Sequence, residues 1–307
     1  MKKIIITIIL LAIIIGSFLL MRKTNSRFCF TGVFIADRPL SGDIARFKRD
    51  YGKNPHYVMV FVDWGNFIEK DVFDSIYSAG SAPIITWEPW YAHSKEGINY
   101  DGLLQGEYDQ YLEEFVKGIS IYKQDIYLRF AHEANGDWYP WAVSKIGTEK
   151  YKDIYRYIKD FFDKKGVQNV QWIFSVNWQD VPQTKESNFM DYYPGDQYVD
   201  FIGIDGYNWG DTKEWSKWMS FKDIFSKPYF MITSKIKKSL IITEFGCAES
   251  GGNKTKWIKD ALSDIKDWDK IKGFILFDID KEAKWRFKPN SSESKALKQA
   301  LADKYFK

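Results

Sequence analysis

The feature that most restricts the fold of this chain is an alternation, from Arg27 onward, of short β-rich apolar runs with longer segments of helical period. The strand-like runs cover 28–37, 56–64, 82–90, 125–135, 170–178, 199–209, 240–247 and 271–280, and each is followed by a helix-like segment. The clearest of these is 149–164, where Tyr151, Ile154, Tyr155, Ile158, Phe161 and Phe162 recur at the spacing of one helix face. Trp257, Ile258, Ala261, Leu262 and Ile265 repeat the pattern. Gly80, Gly166 and Gly273 fall after helical runs and before strands, as helix stops do. Strand–helix alternation calls for parallel strands joined by crossovers. Eight such units in about 280 residues predict a closed (β/α)8 TIM barrel rather than an open doubly wound sheet. The residues after the first run, Ala36-Asp37-Arg38-Pro39-Leu40, hold no Gly-rich phosphate fingerprint, which argues against a dinucleotide fold.

The N-terminus of the 307-residue chain is of a different kind. Lys2 and Lys3 precede 18 residues, Ile4 to Met21, without a charge, and Arg22-Lys23 closes the run. Such a stretch lies between a signal-peptide core and a short membrane helix. Its continuity, and the lack of a small-x-small cleavage pattern after it, predict an uncleaved signal anchor over 1–25, with a cleaved signal peptide as the alternative. Residues 26–307 then form one (β/α)8 catalytic domain. It is expected outside the cytoplasm, held at the cell membrane or secreted, since long domains translocate largely regardless of flanking charge. Lys2, Lys3, Arg22 and Lys23 are four of the 44 basic residues, against 41 acidic ones, so the formal +3 belongs to the N-terminal segment and the barrel is near neutral. With no basic excess and no basic–aromatic cluster, nucleic-acid binding is not expected. Cys29 and Cys247 fall at opposite ends of their strands and are expected as buried free thiols.

A (β/α)8 barrel carries its chemistry at the C-terminal ends of its strands. Glu133 ends the fourth run and Glu244 the seventh, each after an apolar strand. Two carboxylates across a barrel mouth meet the requirement of retaining glycosidic hydrolysis, in which one protonates the leaving oxygen and the other attacks the anomeric carbon, the pair about 5–5.5 Å apart. Arg129, an even number of residues from Glu133, has the same facing. It favours an ionised nucleophile, while an aromatic wall around Glu133 raises its pKa.

The segment Arg129-Phe130-Ala131-His132-Glu133-Ala134-Asn135-Gly136-Asp137-Trp138-Tyr139-Pro140-Trp141 resembles the acid/base signature of glycoside hydrolase family 26. Thr243-Glu244-Phe245-Gly246 is similar to that family's nucleophile segment, and Gly203-Ile204-Asp205-Gly206-Tyr207-Asn208 to its sixth-strand segment. The resemblance runs from Phe28 to the C-terminus. It implies Glu133 as acid/base, Glu244 as nucleophile, His132 as a neighbour shaping the −1 subsite, Tyr207 as the partner of the nucleophile, and Trp138 and Trp141 as cleft lining. Trp87, Trp90, Trp178 and Trp209 stand at strand ends and extend that rim, and Glu88 and Asn177 are candidates for sugar hydroxyls. One departure is the eighth strand, which ends Phe277-Asp278 where many related enzymes have a Trp; Phe277 or Trp285 is the candidate to replace it.

No cofactor and no metal is expected. His132-Glu133 begins a zinc-peptidase pattern, but Gly136 stands where its second His belongs. The expected partner is a β-linked polysaccharide, β-1,4-mannan first and mixed-linkage β-glucan close behind, bound by a monomer. The alternatives are a surface carbohydrate-binding protein without catalysis and an enzyme that remodels the cell's own envelope polysaccharide.

Overall fold

The computed structural model describes residues 27–183 and 188–307. The segment expected as a signal anchor lies outside them; among the described residues no helix is long and apolar enough to cross a membrane. Eight parallel strands close into a barrel: β1 (Phe30–Phe34), β2 (Tyr57–Asp63), β3 (Ala82–Glu88), β4 (Ile126–Phe130), β5 (Val170–Asn177), β6 (Phe201–Asn208), β7 (Ser239–Cys247) and β8 (Ile271–Phe277). Closure is made by β1, which pairs with β8 from Phe30↔Gly273 to Phe34↔Phe277 and with β2 at Gly32↔Tyr57.

Side-chain alternation along the strands builds two cores. Tyr57, Met59, Ile84, Tyr127, Ile173, Ile241 and Ile275 point inward and fill the barrel. Val58, Val60, Ile85, Leu128, Phe174, Ile242 and Phe274 point outward and pack under the helices. Those helices are α1 (Ser41–Tyr51), α2 (Lys70–Ser78), α3 (Asp109–Ser120), α4 (Thr148–Lys164), α5 (Phe221–Lys235), α6 (Lys254–Asp267) and α7 (Ser292–Leu301), with short turns of helix between some of them. The buried face of α4 is Tyr151, Ile154, Tyr155, Ile158, Phe161 and Phe162, the set its spacing predicts. The chain ends by bonding its tail to β1, Thr31 N donating to Lys307 O at 2.7 Å and Lys307 N to Cys29 O at 2.8 Å. Cys29 and Cys247 are both buried and free.

Two local features differ from the sequence expectation. Between β5 and β6 the described residues form two 3-10 turns, Phe189–Tyr192 and Asp196–Tyr198, rather than an α-helix. Pro182 and Pro194 lack the N–H a helix interior needs, and Gly195 sits at φ 116°, which breaks any helical run there. The fourth strand also stops at Phe130, five residues short of the predicted 135. Ala131 and Glu133 take φ values of 46° and 51°, so the chain zigzags out of the sheet there. Ala131 N bonds to Trp87 O of β3 and Glu133 N to Ser175 O of β5, both at 3.0 Å, which holds this strained backbone in place.

Candidate active site

The inward rows of β3 to β7 change character toward the C-terminal end, from Ile and Tyr to polar residues. Arg129 is fully buried there and spends its guanidinium on four strands. Its Nε donates to Thr86 Oγ1 of β3 at 2.9 Å, and its Nη1 lies 2.8 and 2.9 Å from the two carboxylate oxygens of Asp205 on β6. Nη1 also reaches Ser175 Oγ of β5 at 3.4 Å, and Nη2 donates to Glu244 Oε1 of β7. Burial opposes the charge on Arg129, but Asp205 and Glu244 outweigh it and hold the guanidinium protonated. Burial lifts the Asp205 carboxyl to about 7, with Arg129 and the hydroxyls of Thr243 and Ser175 pulling the other way.

Glu244 reaches this network through an irregularity in β7. Pairing with β6 passes from Ile204↔Ile242 to Asp205↔Glu244 and skips Thr243. Thr243 and Glu244 therefore both turn inward, between outward Ile242 and Phe245. Thr243 Oγ1 donates to Asp205 Oδ1 at 2.6 Å, and Glu244 is left to receive Arg129 on one oxygen and the Tyr207 hydroxyl on the other. Gly203 leaves the room for this: a Cβ there would meet Ser175 Oγ at 2.6 Å.

Glu133 is in a different environment. It is 8% exposed and accepts one hydrogen bond, from Trp138 Nε1 at 2.9 Å. Burial first, then the charges of Asp205 and Glu244, push its pKa well above the usual carboxylate range. His132 lies 4.0 Å from Glu244 Oε1 and pairs with Tyr139 Oη at 3.0 Å. Burial and the Arg129 charge hold its pKa well below the ordinary value, so the imidazole is neutral.

The other sequence candidates separate by burial. Trp138 is 43% exposed, its indole N–H held by Glu133. Trp141 and Trp87 are fully buried and do not line a cleft, contrary to expectation. Trp141 stacks on Tyr139 at 4.3 Å and donates to His132 O at 2.7 Å, fixing the loop that carries the site. Trp87 has outward parity on β3 and lies between Trp64 and Phe115, at 5.1 and 4.1 Å, in the helix-facing core. Glu88 lies inward at the mouth, accepts from Trp90 Nε1 at 3.1 Å, and is raised by burial to about 7. Asn177 Nδ2 is engaged by Gln179 O at 2.7 Å. Trp209 is half-buried beside Tyr207, at 6.0 Å. Phe277 closes the interior under Tyr207, at 5.3 Å, while Trp285 is fully buried behind Tyr207 and Trp209, 4.7 Å from each. The loop that carries Trp285 is held by Lys254, whose buried ammonium donates to the carbonyls of Lys284, Trp285 and Arg286 at 3.2, 2.7 and 3.0 Å.

Several site residues escaped the sequence reading. Asp205, Thr86, Ser175 and Thr243 complete the Arg129 network, and Tyr139 orients His132. Phe61 lies 5.7 Å from the Arg129 guanidinium and 6.0 Å from the His132 ring. The signal was the period of two: Phe61 has the parity of Tyr57 and Met59, and Asp205 that of Tyr207.

The model of Glycosyl hydrolase family 26 matches residues 41–274. Endoglucanase H of Acetivibrio thermocellus is 36% identical over 310 residues, covering 98% of this chain and 33% of that protein. A mannan endo-1,4-beta-mannosidase of Bifidobacterium adolescentis is 34% identical over 43% of this chain and 13% of its own length. The chain thus spans a third or less of these curated relatives. In fold it is similar to the catalytic domain of the Bacillus sp. JAMB-750 GH26 endo-beta-1,4-mannanase, with a TM-score of 0.69 at 18% identity over 93% of this chain and 88% of that one. With a family match spanning most of the barrel and a relative aligned along almost its whole length, the chain belongs to glycoside hydrolase family 26.

Proposed function

We propose that the protein is a retaining endo-β-glycosidase in which Glu133 is the acid/base and Glu244 the nucleophile. The observation that carries this is the contrast between the two carboxyls. Glu244 receives a guanidinium and a phenol, whereas Glu133 is buried with one indole donor and pushed toward its protonated form. One group is prepared to attack and the other to donate a proton. Glu133 protonates the glycosidic oxygen as Glu244 attacks the anomeric carbon, giving a covalent glycosyl-enzyme; Glu133 then takes a proton from the water that releases the sugar. The neutral His132 beside Glu244 adds no competing positive charge to the pair.

For substrate we place a β-glucan ahead of β-1,4-mannan, reversing the order the motifs suggest. The relative aligned along 98% of the chain bears the name Endoglucanase H, and that supports the glucan reading. The near-neutral barrel suits an uncharged glycan. The apolar run 4–21 supports tethering at a membrane with the barrel outside, and fractionation of cells into membrane and soluble protein tests that part. The test of function is release of reducing ends from mixed-linkage glucan, mannan, xylan and envelope extracts, with the first-formed anomer read by proton NMR. Binding to a glycan with no reducing ends released from any of them points instead to a carbohydrate-binding protein.

The Trp138 hydrogen bond gives a pH prediction. The indole donor stabilises the ionised form of Glu133 and so lowers a pKa that burial has raised. In Trp138→Phe that brake is lost and the pKa rises further. The alkaline limb of kcat/KM, where the acid is lost in the free enzyme, is expected to move to higher pH. A limb that stays in place or moves down would show that Glu133 is not the group titrating there.

A further inference from the structure

The loop joining β6 to α5 carries a side chain that the carboxylate network does not use. Trp215 is 71% exposed, the most exposed of the large apolar residues among those described. The loop that presents it is well tied. Asn208, fully buried, accepts from Gly210 N at 3.2 Å and Met219 N at 2.9 Å, clamping both ends. Within the loop Thr212 Oγ1 donates to Trp209 O at 2.7 Å, and Lys213 and Ser216 exchange hydrogen bonds. Gly210, at φ 56°, packs directly against the carbonyl of Ser250 beyond β7.

Aromatic rings lead from the site to this position. Tyr207, which donates to Glu244, lies 6.0 Å from Trp209. Trp209 rests edge-on against buried Trp285 at 4.7 Å and meets Trp215 edge to face at 5.5 Å. Each of the two exposed Trp residues is thus linked to a different member of the candidate pair, Trp138 by its bond to Glu133 and Trp215 to Glu244 through Trp209 and Tyr207. A large apolar face left in water on a braced loop binds a flat apolar surface at little conformational cost. The C–H face of a pyranose ring is such a surface.

We propose that Trp215 is a stacking platform for a sugar ring of the bound glycan beyond those held at the carboxylates, a distal subsite continuous with Trp209. The proposal rests on the β-glycan reading above. It is tested with Trp215→Ala on mixed-linkage glucan and on its oligosaccharides of increasing length. KM for the polymer is expected to rise about tenfold with kcat within about twofold, and the gain in kcat/KM on lengthening the oligosaccharide to be lost at one step. Trp215→Phe should recover most of that gain, and Phe230→Ala, exposed on the outer side of α5, should match wild type. An unchanged KM at every length, or an equal rise at every length, would overturn the proposal. Affinity electrophoresis through gel-embedded glucan separates this from failure of the enzymatic reading: a wild type that releases no sugar but is retarded, while Trp215→Ala is not, retains the platform without the reaction. Equal mobility of the two proteins overturns the platform.

Discussion

Replacing Glu244 with Gln is expected to lower kcat by at least about 10^4-fold while leaving the fold intact. The Gln amide oxygen still accepts from Arg129, and its NH2 donates to the Tyr207 hydroxyl instead of a carboxylate oxygen accepting from it, so both contacts that position the side chain are kept with one of them reversed. What is lost is the negative charge and the electron pair that attacks the anomeric carbon. Arg129 still has Asp205 as a counter-charge, so the thermal midpoint should stay within about 3 °C of wild type. Steady-state kinetics on the best glycan, with a melting curve on the same preparation, checks both parts. Hydrolysis within tenfold of wild type would remove Glu244 from the role of nucleophile.

Arg129→Met is expected to act on stability as much as on turnover. The side chain is fully buried, and its removal leaves Asp205 and Glu244 as buried carboxyls without their cation. Breaking such a group from one side costs about 3–5 kcal/mol, a fall in melting temperature on the order of 10 °C for a domain of this size. The loss should depend on pH. Burial raises the Asp205 carboxyl above its unfolded value, so its contribution to stability is fully present only below the unfolded pKa and is lost as pH rises from there through about 7. Arg129 opposes that rise, and without it the folded pKa climbs further and the loss continues to higher pH. The deficit of the variant relative to wild type is thus expected to be larger at pH 8 than at pH 5, read from denaturant unfolding at the two values. A deficit equal at both would show that the cost is lost packing rather than an uncompensated carboxylate.

The barrel was legible in the sequence because each helix face and each strand parity repeats at a fixed period. Tyr151 through Phe162 bury the predicted stripe of α4, and the eight runs become eight strands. The segment after β5 was not, because its prolines and Gly195 break the helix expected there. At the site, Arg129 and Tyr207 were found because a simple parity rule or a motif placed them. Trp87 and Trp141 misled because a Trp at a strand end looks the same whether it faces the mouth or the helices; parity sends Trp87 outward, and the hydrogen bond to His132 O draws Trp141 under the loop. Thr243 and Glu244 both turn inward, which simple alternation forbids. Only the register shift between β6 and β7 reveals it. The positive φ of Ala131 and Glu133 likewise depends on bonds to β3 and β5 that no local pattern encodes.

The most direct test of the account is to trap the covalent intermediate. Incubating the purified protein with an activated 2-deoxy-2-fluoro-β-glycoside, which slows release more than attack, should add the mass of one glycosyl group. Peptide mapping should place the added mass on Glu244, and Glu244→Gln should take up none. Rapid turnover of the natural glycan with no labelled species, or a label on a residue other than Glu244, would contradict a double displacement through this carboxylate.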